Sequence, residues 1–376
     1  VVSVLLRAAR ARPVTRFLSW AVVQLAILAA SLLGAEIYLR HHETYVIASE
    51  GGALARTTLS AETLLAYTLR GARLIPNAHV VIRNHRISHL PEIAMDINSS
   101  GFRGAEFPKE KTPGEFRILV LGDSITWGDY LPEEQVYVRR MEKYLQERVA
   151  DRKIRVINGG VGDIGLSEEV DILEERGLAV HPDLVLVEFY LNDSRPPFGF
   201  AAELNGRGFL RRHSLLADKA YTYLQLQRWL GGSGEKWSRW IKDVNGLDWA
   251  HDPAAFRTLA SEASLDWGAA WDPSSWGVIE ERLRRLKTLA DAHRFGVAIA
   301  AFPVRYQVYA QFVEDTPQRD MRALVLPLGF RYLDLLPMLR QHRNEDLFFD
   351  QCHPREDANG LIGAQIAEFL SQEFFS

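Results

Sequence analysis

Residues 116–128 read FRILVLGDSITWG. Phe116–Leu121 is a short, mostly apolar run closed off by Gly114 and Gly122, the pattern of a strand buried on both faces. Gly122, Asp123 and Ser124 then supply turn and N-cap residues. A serine between the carboxyl end of a central strand and a helix exposes its hydroxyl beside backbone N–H groups, which favour an oxyanion.

The same alternation continues downstream. Ile154–Ile157 runs into Asn158, Gly159 and Gly160; Leu184–Phe189 follows Pro182; Val297–Phe302 follows Gly296; Arg331–Leu335 carries a shorter run. Helical patterns separate these runs at Glu133–Val149, Ser167–Leu178, Trp276–His293 and Ala358–Phe374. In the third, Ile279, Leu283, Leu286 and Ala290 share one face. Strands alternating with helices predict an α/β three-layer sandwich around a mostly parallel five-stranded sheet. A flavodoxin-like order 2-1-3-4-5 sets Ser124 between the loops that follow the second and third strands. Residues 196–275 interrupt the alternation, and seven of the nine tryptophans fall between Trp229 and Trp276. That density reads first as a helical insertion whose aromatics fill a small core of its own. The alternative is a cap over the site whose tryptophans stack on a sugar, or a membrane-surface patch that includes Arg211, Arg212, Lys219 and Arg228.

Upstream, Phe17–Ala35 runs for 19 residues without a charge. At 1.5 Å per residue it nearly matches a hydrocarbon core of roughly 30 Å. Arg7, Arg10, Arg12 and Arg16 precede it with no acid among them, and Trp20 and Tyr38 bracket it as interfacial aromatics do. The reading is a basic cytoplasmic tail over 1–16, a transmembrane anchor over 17–39, a stalk or small subdomain over 40–112, and a main domain over 113–376 lying outside the cytoplasmic membrane. A cleaved signal peptide is the rival; it lacks a good cleavage site, because Leu33 stands at −3 if Ala35 is at −1. Between His79 and Ile97, short β-branched runs broken by Asn, Pro and Ser read as strands and turns. A net charge of −4 with no basic face argues against nucleic acid as a partner. The single cysteine, Cys352, excludes an intramolecular disulfide and a Cys-based zinc site.

Chemistry-bearing residues gather in three strand-end loops and a C-terminal segment. Beside Gly122-Asp123-Ser124, the loop from Asn158 to Gly162 places glycine where a main-chain N–H can approach a ligand. Asn192, at the end of the third strand, offers an uncharged amide donor suited to an oxyanion. Asp350, three residues before His353, can accept from its Nδ1–H and leave Nε2 to take a serine proton. Asp123 and Asp193 read as braces of their own loops, and Cys352 as a small buried residue. His85 and His89 have metal-like i,i+4 spacing, but the sequence around them reads as strand and turn, so no metal site is assigned. Asn98-Ser99-Ser100 and Asn192-Asp193-Ser194 match a glycosylation pattern, and both read as coincidence.

Together these residues resemble the SGNH, or GDSL-type, hydrolases. Leu121–Gly128 looks like the first family block, Gly160 like the second-block glycine, Asn192 like the third-block asparagine, and Asp350 with His353 like the D-x-x-H of the fifth. The resemblance spans about residues 114–376. Tyr190 stands where the family usually has glycine, which would narrow an acyl pocket. Asn98–Gly104 resembles the lead-in of uncharacterised membrane-linked bacterial members. What the resemblance implies is a serine esterase with Ser124 as nucleophile, His353 as base and Asp350 orienting it. The Ser124 and Gly160 amides and the Asn192 side chain would then hold the oxyanion, with no cofactor and no metal. The expected substrate is an acyl, above all acetyl, ester on a small molecule or a cell-envelope or exported glycan. Two alternatives stand beside it: a polysaccharide O-acyltransferase using the same triad, and a non-catalytic glycan-binding or assembly protein.

Overall fold

The computed structural model describes residues 13–42, 46–48, 54–56, 65–68, 71–194 and 246–375, without Arg86, Asp129, Asp163 and Leu265, together with Leu210, Ser214, Leu216, Ala217, Ala220 and Leu224. The readings of Arg7, Arg10 and Arg12, of Arg211, Arg212, Lys219 and Arg228, and of Trp229, Trp237 and Trp240 lie outside the described residues.

Five parallel strands form the centre: β1 (Glu115–Leu121), β2 (Lys153–Asn158), β3 (Leu184–Phe189), β4 (Gly296–Ala301) and β5 (Arg331–Asp334). Their order is β5-β4-β3-β1-β2, which is the expected 2-1-3-4-5 read from the other edge. Registers such as Ile118↔Val156 and Ile118↔Leu184 place β1 between β2 and β3, and β3 is buried along its whole length. Helices must therefore cover both faces, since strands so enclosed have no side for water.

The helices are α1 (Pro13–His42), α2 (Ser124–Trp127), α3 (Tyr137–Arg148), α4 (Leu166–Ile172), α5 (Pro253–Glu262), α6 (Trp276–His293), α7 (Arg305–Tyr309), α8 (Thr316–Val325), α9 (Leu336–Gln341) and α10 (Glu356–Phe374). Right-handed crossovers from β1 to β2 and from β2 to β3 run in opposite directions along the sheet, so α3 and α4 fall on opposite faces. Accordingly α3 packs on α10 and α4 on α6. The expected helix over 133–149 is split. Glu133–Gln135 is a 3-10 turn after Pro132, Val136 is extended, and Asn359 Oδ1 of α10 accepts from the Tyr137 N–H (2.8 Å) to start α3. The expected helix over 167–178 is also interrupted, widening at Leu173–Gly177 into a π turn where a Cβ on Gly177 would lie 2.7 Å from Leu119.

Before the sheet, His79–Arg83 pairs antiparallel with Glu92–Asp96. Val80, Ile82, Ile93 and Met95 point inward and join the same apolar cluster as the sheet residues. The Arg103 N–H then donates to the Asn158 carbonyl (3.1 Å), tying this segment to β2. Along α1, Phe17–Leu39 is long and apolar enough to cross a membrane, and most of its large side chains are exposed, Leu25 at 65% and Leu33 at 61%, while Val23 is buried. Near the end of that stretch, Glu36 accepts from Ser214 Oγ and from the Leu216 N–H, both at 2.9 Å. The described part of the 196–275 segment builds an aromatic core. Trp267 packs against Trp271 (ring centroids 5.4 Å apart), Phe256 (6.1 Å) and Tyr306 of α7 (5.4 Å).

Candidate active site

The carboxyl ends of β1, β2 and β3 carry Ser124, Gly160 and Asn192, at the point where the strand order reverses and an open sheet leaves a crevice. Ser124 opens the single-turn helix α2. Asp123 is its N-cap, with Oδ1 accepting from the Ile125 N–H at 2.8 Å, and Gly128 ends it in the left-handed region at φ +73°. Buried Arg103 closes the other end of α2. Its guanidinium donates to the carbonyls of Trp127, Gly128 (2.8 Å) and Leu131 (2.8 Å), taking up acceptors that a helix end leaves open.

After β5 and α9, the chain returns across the sheet. His353 Nε2 lies 2.9 Å from Ser124 Oγ, and His353 Nδ1 lies 2.8 Å from Asp350 Oδ2. Asp350 Oδ1 also accepts from the backbone N–H groups of Cys352 (3.0 Å) and His353 (2.9 Å). Burial by itself would raise the Asp350 pKa, but the adjacent His353 and these donors outweigh it and hold the carboxyl below the usual carboxylate range. The lowered pKa favours the carboxylate form of Asp350, at the end of a hydrogen-bonded chain from Ser124 through His353. One contact here escaped the sequence reading: Tyr130 Oη donates to Asp350 Oδ2 (3.1 Å), while its ring lies 4.4 Å from that of His353. No local motif marks a tyrosine 220 positions away from its partner.

Gly160 is required sterically. A Cβ there would lie 2.3 Å from the Trp127 nitrogen, so only glycine lets the second loop press on α2. Its N–H donates to Asn158 Oδ1 (2.9 Å), and Asn158 Nδ2 donates to the Thr126 carbonyl (2.9 Å). To hold an oxyanion as well, Gly160 must share that hydrogen. Asn192 is half-buried, and its Nδ2 donates to Asp266 Oδ1 (3.1 Å). Asp193 braces its loop as expected, with Oδ2 accepting from the Tyr190 N–H (3.1 Å). Tyr190 is itself buried at 1% exposure beside Cys352. Ser124, Ile125, Tyr130, Leu131, His353 and Pro354 border a small gap of about 10 Å³.

Beneath α2 lies a second set of acids. Glu188 Oε2 accepts from the Asp123 N–H (3.2 Å) and from Thr126 Oγ1 (2.9 Å). Burial first, then the neighbouring Asp123 and Asp193, push its pKa well up. Glu169 and Asp193 are raised in the same way, and neither Glu169 oxygen has a hydrogen-bond partner. An acid within an otherwise apolar strand run, as Glu188 is in LVLVEF, carries no sequence signal of its protonation state.

Of the i,i+4 histidines, His85 has its Nδ1 engaged by a neighbour. His85 Nδ1 accepts from the Ser88 N–H (3.1 Å) and is 3.0 Å from Ser88 Oγ. Among the described residues, the side chains whose donor atoms could meet on one ion are Asp350, Cys352 and His353, within 4.8 Å of one another. The Asp350 and His353 atoms serve the hydrogen bonds above, Cys352 Sγ lies 3.4 Å from His353 Nδ1, and burial raises the thiol, which disfavours a thiolate ligand. Asn98 Oδ1 accepts from the Ser100 and Phe102 N–H groups in a buried turn, its structural use within the glycosylation-like pattern.

No family model and no curated protein matches the chain. Among solved structures it is similar to a lipolytic protein of the G-D-S-L family from Desulfitobacterium hafniense, at 14% identity and a TM-score of 0.36 over 68% of this chain and 99% of that one. A two-domain esterase active on acetylated mannans aligns at 16% identity and 0.40, over 69% of this chain and 50% of its own. An acetyl xylan esterase aligns at 14% and 0.38, over 69% and 100%. The first of these bears the family name that the sequence blocks resemble. The functional reading rests on the side chains at the crevice.

Proposed function

We propose that the chain is a membrane-anchored serine esterase whose catalytic domain faces the periplasm or cell exterior. The observation that carries this reading is the continuous chain from Ser124 Oγ through His353 Nε2 (2.9 Å) and Nδ1 to Asp350 Oδ2 (2.8 Å), at the mouth of a parallel sheet. Neutral His353 takes the Ser124 proton as Oγ attacks the ester carbonyl. The tetrahedral oxyanion is held by the Ser124 N–H, by the Asn192 amide and by Gly160 as it shares its N–H. His353 then protonates the leaving alcohol, and a water activated by the same imidazole releases the acid and frees Ser124. Asp350 stays ionised throughout, consistent with its depressed pKa.

We take the acyl group to be short, above all acetyl, as the resemblance to the SGNH hydrolases implies. A glycan as the alcohol part fits an enzyme held at the outer face of a membrane. The exposed apolar stretch Phe17–Leu39 and the arginines before it support a single-pass anchor with the N-terminus inside.

The detergent-solubilised chain should release acetate from acetylated xylan or mannan oligosaccharides and from short aryl esters, with little turnover of long-chain esters. Consumption of the donor ester only when an acceptor sugar is present, with the acetyl group recovered on that sugar and no free acetate, would replace hydrolysis by acyl transfer. A reporter fused after Leu39 should be active only outside the cytoplasm, and cytoplasmic activity would overturn the orientation.

A further inference from the structure

The described part of the tryptophan-rich insertion does more than bury its own aromatics, because it delivers a carboxylate to the proposed oxyanion donor. Asp266 is 1% exposed and stands directly before the 3-10 turn Trp267–Trp271. Its place is fixed by the chain around it. The Asp266 N–H donates to the Ala263 carbonyl (2.9 Å) and the Ala269 N–H to the Asp266 carbonyl (2.9 Å). Trp267, fully buried, anchors the next position against Phe256, Trp271 and Tyr306. A Cβ on Gly268 would lie 1.9 Å from the Ala260 carbonyl oxygen, so glycine alone lets this turn close onto α5.

From that platform Asp266 Oδ1 accepts from Asn192 Nδ2 at 3.1 Å, while Asp266 Oδ2 and Asn192 Oδ1 have no hydrogen-bond partner. The two ends of a carboxamide are nearly isosteric, but only the NH₂ end stabilises an oxyanion. Above its pKa of about 7 the Asp266 carboxylate accepts and cannot donate, so there it selects the NH₂ end and repels the carbonyl end. With one N–H held by Asp266, the second N–H of Asn192 has a set direction. We propose that Asp266 is a positioning residue that fixes the Asn192 amide as an oxyanion donor, making the insertion part of the catalytic apparatus. This rests on the esterase reading above. Burial pushes the Asp266 pKa up to about 7, against the lowering effect of the Asn192 bond, and Asp123, Asp350 and His353 all act on it electrostatically, which places it close to the triad.

The test is a double-mutant cycle on the full chain in detergent, with kcat and KM measured on a short-chain aryl ester. Asp266→Ala should lower kcat about tenfold or more, and KM should change less than about twofold, because the contact matters where charge develops. Asn192→Ala should lower kcat ~10²–10³-fold. The Asp266→Ala/Asn192→Ala double variant should be no slower than Asn192→Ala alone, since the first residue acts through the second. A merely structural role would instead slow both backgrounds by the same factor, and that result overturns the proposal, as does full activity of Asp266→Ala. If Asp266→Ala does not fold, near-isosteric Asp266→Asn takes its place in the cycle. It should show a smaller loss of kcat that again vanishes when Asn192 is alanine; the same loss in both backgrounds, or no loss at all, overturns the proposal. A wild-type chain inert on every ester removes the esterase reading and this inference with it, whereas an active wild type with an indifferent Asp266 removes this inference alone.

Discussion

Two layers of carboxyl groups lie on either side of the Ser124 turn, and they are built on opposite principles. Above it, Asp350 accepts from two backbone N–H groups, from Tyr130 and from His353, and its pKa is held down. Below it, Glu188, Asp193 and Glu169 are enclosed with few donors and press on one another, and their pKa values are driven up. The first layer keeps a negative charge where an imidazolium must form. The second favours the protonated form of acids within the core that supports the turn. Environments that push carboxyl pKa values apart are how one fold assigns different roles to the same chemical group.

Substitutions in the upper layer should have the largest effects. Ser124→Ala or His353→Ala should reduce ester turnover ~10⁴–10⁶-fold, and Asp350→Asn by about 10⁴-fold through the wrong imidazole tautomer, all with folding intact by thermal melt. A residual rate within tenfold of wild type for any of the three would break the assignment. Next, Asn192→Ala should cost ~10²–10³-fold in kcat, and unchanged turnover would remove it from the oxyanion site. Tyr130→Phe deletes one hydrogen bond to an ionised acceptor, an interaction worth ~1.5–3 kcal/mol. Because His353 and two N–H groups remain on Asp350, kcat should fall about tenfold with KM little changed. A Tyr130→Phe enzyme as fast as wild type would show that the stacked ring alone suffices.

The smallest effect belongs to the lower layer and concerns stability. Glu169 holds its proton in the folded state over a pH range where the unfolded chain has lost it, so folding weakens as pH rises above the ordinary carboxylate value of about 4.3. Glu169→Gln removes that penalty. Its melting temperature should exceed wild type by roughly 2–4 °C for each kcal/mol gained, with the difference growing from pH 5 to pH 8. A difference independent of pH would mean that Glu169 is ionised and paired.

The contrast between the layers also marks where sequence reasoning stopped. The strand order, Ser124, Asp350 and His353 were legible because each is written locally: an apolar run ending in glycine, or an acid three positions before a histidine. Asn192 was legible for the same reason. Asp266 and Arg103 were not, since their roles arise from contacts 74 and 24 positions away. Glu188 was visible as a residue, but the upward push on its pKa depends on how completely β3 is enclosed by its neighbours. The tryptophans of the insertion read as the filling of a small core of its own, whereas the described ones join the main apolar cluster, and their composition held no sign that Asp266 beside them would reach Asn192. Helix ends were misjudged where tertiary contacts decide them, as at Tyr137, whose N–H is capped from α10 by Asn359.

The central claim is that Ser124 is a nucleophile activated by His353, and covalent labelling reads it most directly. The detergent-solubilised chain is treated with a fluorophosphonate probe, digested and mapped by mass spectrometry. The account predicts a single adduct on Ser124, absent in Ser124→Ala and strongly slowed in His353→Ala. An unlabelled wild type, or an adduct that survives Ser124→Ala, would contradict it.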